Sequence, residues 1–134
     1  MGRKVVTVEP FHDNILRIHK AATKANLQDR ITLVKNALSD KRNEVKRLNL
    51  VDNNIGGQSL LDDKNTVFRK DPTDKYLVET IYMDDLVDVL PRRADGSEFT
   101  DAIVKIDIEG FEPFAFVHAE KLFRKLNVNI IFME

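Results

Sequence analysis

Apolar and polar residues alternate most clearly between Ala102 and Glu112, where Val104, Ile106 and Ile108 interleave with Lys105, Asp107 and Glu109. A period of two is the pattern of a β-strand. Gly110 interrupts the alternation, and Pro113 suits the first turn of a helix. Near the start, Lys4 to Glu9 reads as a short buried strand ended by Pro10. A helical stripe follows at Phe11, Ile15, Ile18, Ala22 and Ala25, with Asp13 or Asn14 as its cap and Asn26 as its terminator. Arg30 to Ala37 is a second strand, stopped by Ser39 and Asp40. Strand, helix, strand makes a right-handed crossover with its strands parallel.

The middle is less regular. Glu44 to Val51 has strand-like spacing, Asp52 to Ser59 is a turn-rich loop, and Lys64 to Lys75 is polar and predicted to be exposed. Tyr76 to Tyr82 alternates as a strand, and Met83 to Leu90 gives a short helix closed by Pro91. Beyond a charged connector from Arg92 to Thr100, the spacing predicts one amphipathic helix over Pro113 to Leu126 and a strand over Val128 to Phe132. Alternating strands and helices predict one domain built on a mostly parallel α/β sheet. In open sheets of this kind ligands bind beyond the carboxyl ends of strands, where Glu9, Asp107 and Glu109 fall.

Composition narrows the function. The 134 residues are 43% hydrophobic and 32% charged, as in a globular domain with a real core. A net charge of -1 with no basic run argues against nucleic acid or an anionic membrane as partner. No apolar run approaches the roughly 20 residues that span a bilayer. The N-terminus is too short and too soon charged for a signal peptide, and Val6 stands where a myristoylation motif needs Ser or Thr. With no cysteine, disulfides, thiolate metal sites and thiol nucleophiles are excluded, and a soluble, cytoplasmic protein is the default expectation.

Several candidate groups remain. Glu9, at the end of an early strand, is either a solvated acid or an acceptor for vicinal ribose hydroxyls. Asp107, Glu109 and Glu112 read as a metal site, a general base, or surface acids balanced by Lys105; three acids in a row define no ligand geometry, and no metal is assigned. Gly56 and Gly57 with Gln58 and Ser59 either cradle a phosphate or make a plain turn. The dinucleotide-binding and P-loop glycine patterns are absent, His12, His19 and His118 show no metal spacing, and Ser39 and Ser59 lack a nucleophile elbow.

The order of these segments resembles the FkbM-type methyltransferases. The run Lys105, Asp107, Glu109, Gly110 and Glu112, with its intervening residues, is similar to that family's most distinctive motif. The segments ending at Glu9 and Pro10, spanning Ile31 to Asp40, Gly56 to Leu60, Val78 to Leu86 and Ile130 to Glu134 match mainly through their order. The resemblance implies a Rossmann-like doubly wound sheet of the class I methyltransferase type, with S-adenosylmethionine as cofactor and a small-molecule hydroxyl as methyl acceptor. It implies that Glu9 holds the ribose, that Asn36 and Ala37 border the adenine, that Asp107 sits beside the transferred methyl, and that Glu109 supports Asp107 or the substrate. The family's first strand, with its Gly-rich turn, would precede Met1, and its last strands would follow Glu134. The expected fold is therefore incomplete at both ends, with impaired cofactor binding. Two other expectations stand beside it: a non-catalytic α/β domain that binds a partner through unpaired sheet edges, and a carboxylate acid–base enzyme using Asp107 and Glu109. The oligomeric state is left open.

Overall fold

The computed structural model describes residues 2–49, 58–60 and 66–134. The chain is a mixed α/β domain whose described strands form three small sheets. β1 (Val5–Val8) and β2 (Ile31–Val34) pair in parallel, Val5 opposite Ile31 and Val8 opposite Val34. The crossover between them is α1 (His12–Lys24), as its apolar stripe requires. Asn26 adopts a left-handed backbone with φ 54°, and the following amide of Leu27 returns to the carbonyl of Ala22, which stops the helix. The expected cap is corrected. Phe11 holds the N-cap position without a side-chain cap; Asp13 pairs with Lys75 at 2.7 Å, and Asn14 turns back toward Glu9.

The expected second strand is broken in two. β2 stops at Val34, and β3 (Ala37–Leu38) belongs to a different sheet, parallel to β5 (Leu77–Ile81). Asn36 makes the switch, its side-chain amide donating to the carbonyl of Glu79 at 3.0 Å. β4 (Val45–Arg47) runs antiparallel on the other side of β5. Thr80 of β5, fully buried, accepts the Glu44 amide at 3.0 Å and donates to the Glu44 carbonyl at 3.3 Å. Those bonds satisfy a hydroxyl that would otherwise be costly inside.

β6 (Asp101–Ile106) and β7 (Asn127–Met133) form the third sheet, again parallel, with a bulge between Ala102 and Ile103. The single helix expected between them is two: α2 (Glu112–Phe116) and α3 (Glu120–Lys125). The break is held from outside the segment. Asp84 donates its backbone amide to the carbonyl of His118 at 2.9 Å, and its carboxylate accepts the amide of Leu122 at 3.0 Å. An acid from the 3-10 helix Met83–Val89 thus caps α3, a role that periodicity within the segment has no means to reveal.

Two clusters make the core. Leu38, Met83, Ile106, Ala115, Ala119, Leu122 and Leu126 tie β3, the 3-10 helix, β6, α2 and α3 together. Phe11, Ala37, Leu48 and Val78 pack α1 against the second sheet. Each large aliphatic chain buried in this way contributes about 1.5–3 kcal/mol. Among the described residues the three sheets share this core without sharing one continuous hydrogen-bond ladder: there β1 pairs only with β2, and β6 only with β7.

Candidate functional site

A cleft of about 930 Å³ lies between β1 and β6. Nine consecutive residues, Asp101 to Glu109, line one side, and Arg3 to Pro10 with one exception line the other. Side chains alternate across a strand, so a sheet face would present every second residue. Consecutive lining means that both strands present an edge. Met83, Leu86, Val87, Leu122 and Leu126 give the cleft an apolar floor.

Glu9 and Asp107 stand where β1 and β6 end, and both line this cleft, together with Asn36, Ala37 and Glu109. All five candidate residues therefore meet at one cavity. Glu9 is partly committed: one oxygen accepts the Phe11 amide at 2.8 Å, and the other lies 3.4 Å from the Asn14 side-chain amide. Its charge sits ahead of α1, where a helix favours an anion. A carboxylate has about four acceptor positions, so capacity remains toward the cleft. Ala37 is buried at the wall, and Asn36 is anchored by its bond to Glu79.

Asp107 and Glu109 do not extend one strand as their spacing suggests. β6 ends at Ile106, and Glu109 takes a left-handed conformation with φ 54°, followed by Gly110 at φ 90°. Non-glycine residues seldom adopt such a backbone, and it concentrates at functional turns. Asp107 is 43% exposed and pairs with Lys105 at 3.0 Å; the same ammonium reaches Glu134 at 3.3 Å. Its bonds to Asp107 first and Glu134 second hold the Lys105 pKa above the usual lysine value.

Glu112 has a job its sequence position only hints at. Its carboxylate reaches back to accept the amides of Ile108 at 3.1 Å and Gly110 at 3.4 Å, clamping the turn. Its pKa lies below the usual glutamate value, chiefly through its own backbone amide; burial opposes this, and the amides of Ile108 and Gly110 lower it further. The spacing from Ile108 to Glu112 therefore encodes a backbone clamp. Asn14 beside Glu9 was also missed; its only signal is a place in the first turn of the helix that follows. Gly56 and Gly57 lie outside the described residues. Among the described residues no group of three His, Asp or Glu side chains could hold a metal ion. No helix among them is long and apolar enough to cross a membrane.

An α/β domain with acids at two strand ends opening on one cleft fits the methyltransferase class, and the comparison with known families agrees. The family model described as the methyltransferase FkbM domain matches residues 1–134, and the chain belongs to that family. No curated protein and no solved structure gives a significant match.

Proposed function

We propose that this domain methylates a hydroxyl oxygen of a small molecule, with S-adenosylmethionine as methyl donor, and that its strands belong to a class I, Rossmann-like doubly wound sheet. The observation that carries the reading is the meeting of Glu9 and Asp107 at one cleft. The residues present fit the cofactor. Glu9 keeps acceptor capacity for two ribose hydroxyls, and Ala37 with the polar Asn36 offers a flat wall for adenine. When bound, the cofactor supplies a methyl group already activated on a positive sulfur, so the protein has mainly to align the reactants.

In that division of labour Glu9 binds and Asn36 and Ala37 border the base. Asp107 accepts the hydroxyl proton of the acceptor as a hydrogen bond and fixes the oxygen's direction of approach. Carboxylates are weak bases for an aliphatic alcohol, so orientation is the greater part of its role. Glu109, lifted by its left-handed backbone, supports Asp107 or the acceptor, and Glu112 keeps that turn in shape. Calorimetric titration with S-adenosylmethionine tests the reading. Binding by this chain is expected to be weak, competed by S-adenosylhomocysteine and lowered further by Glu9→Ala; a Glu9→Ala variant that binds as tightly as wild type would refute the reading.

One observation favours a second reading, a non-catalytic domain that binds a polypeptide strand. The edges of β1 and β6 that face the cleft carry no partner strand among the described residues, and an inserted strand would satisfy both. Concentration-dependent association in the ultracentrifuge without cofactor binding would support it.

A further inference from the structure

At the opposite end of the same strands, where β1, β2 and β6 begin, lies a second cavity of about 990 Å³. Arg3, Lys4, Arg30, Arg92 and Arg93 line it against two acids, Asp29 and Asp95. Five cations line the cavity against two carboxylates, while Glu98 stands beside Arg92 and Asp101 near Arg93, in a chain whose net charge is -1. The two acids are held by local bonds. The carboxylate of Asp95 accepts the amide of Ser97 at 2.9 Å and its hydroxyl at 2.6 Å, closing a turn. Lys4 donates to the carbonyl of Asp29 rather than to its carboxylate.

The arginines are largely uncommitted. Among the described residues Arg3 and Arg30 make no side-chain hydrogen bond or ion pair. Arg93 lies over the ring of Phe99 at 4.9 Å, an arrangement that fixes its guanidinium without using up its donors. Arg92 donates to the carbonyl of Gly96 at 3.1 Å and meets Glu98 at 3.4 Å, but Glu98 is shared with Lys125. Gathering like charges in a concavity costs free energy unless an anion offsets it. Guanidinium forks match the oxygens of phosphate groups two at a time.

We infer that this cavity binds the diphosphate group of a small organic ligand, through Arg3, Arg30 and Arg93, with Arg92 and Lys4 at its rim. A diphosphate presents oxygens to more than one guanidinium at once, and Phe99 at the cavity wall holds the Arg93 guanidinium in place for it. The cations border one cavity instead of running along a helix or strand face, which distinguishes the site from a nucleic-acid stripe. The length of β1, four residues at about 3.3 Å each, places it on the order of 13 Å from the end of the cleft bearing Glu9. The two cavities nevertheless adjoin, since Arg3, Lys4, Arg92 and Phe99 line both.

Calorimetric titration of the full chain with inorganic pyrophosphate tests this. Saturable one-to-one binding is expected, weakened about tenfold or more by Arg30→Glu, since a lost charge-assisted contact is worth that much. Charge reversal at exposed Lys20, Lys20→Glu on α1, should leave the affinity unchanged. Circular dichroism reports folding, and Arg3→Glu carries the same expectation should Arg30→Glu fail to fold. No saturable binding, undiminished binding in the charge-reversed arginine variants, or equal weakening by Lys20→Glu would each overturn the proposal.

Discussion

Glu9→Gln separates two tasks that the wild-type carboxylate combines. In the fold, Glu9 accepts the Phe11 amide at 2.8 Å and places a negative charge before α1. A glutamine oxygen still accepts that amide, so the fold loses mainly the charge. Its interaction with the helix terminus is worth about 0.3–1 kcal/mol. Glu9→Ala also removes the acceptor, and a charge-assisted bond adds about 1.5–3 kcal/mol to the loss. Urea unfolding should therefore rank wild type above Glu9→Gln above Glu9→Ala, with the larger step at alanine. Cofactor binding should follow a different order. A neutral amide has one oxygen where the carboxylate has two, and two ribose donors cannot both be served while the Phe11 amide is kept. Glu9→Gln should lose most of the affinity for S-adenosylmethionine, about tenfold or more for one charge-assisted bond. Calorimetry measures this under conditions where the variant remains folded. A glutamine variant that binds as tightly as wild type, or that loses as much stability as alanine, would refute the assignment.

Other outcomes follow from particular contacts. Asp107→Asn should lower the rate of methyl transfer while leaving the unfolding midpoint unchanged, because its ion pair with Lys105 is open to solvent; steady-state kinetics and thermal melting check the two halves. Thr80→Val keeps the shape of a fully buried side chain but strands the Glu44 amide, and should cost about 1–3 kcal/mol in urea unfolding. Glu112 has its pKa lowered in the fold, so its contribution to stability is complete above the unfolded value near pH ~4.3 and is lost as pH falls through the lower folded value. Glu112→Gln should flatten that part of the acid unfolding profile, and urea titrations across the acid range will show whether it does.

Local pattern was a good guide wherever an element answers to its own neighbours. The strand before Glu9, the helix stopped by Asn26, and the left-handed turn at Gly110 all follow from alternation, stripe and backbone permissiveness. It failed where a distant group intervenes. Asn36 leaves its strand because the carbonyl of Glu79 receives its amide. The helix after Pro113 breaks because Asp84 binds both His118 and Leu122. Neither partner lies within the window over which a period can be read.

The candidate site divides along the same line. The sequence by itself determined the family, through the order of its segments and the acids around Gly110, and it named five residues that the fold brings to one cleft. Only the tertiary structure decided that β1 and β6 present edges to that cleft, that Glu112 clamps a turn, and that arginines from three separate stretches converge at the other end of the strands. Hydrophobic periodicity records which face of an element is buried. It carries no information about which charged groups, far apart in the chain, are brought within a few ångströms when those faces meet.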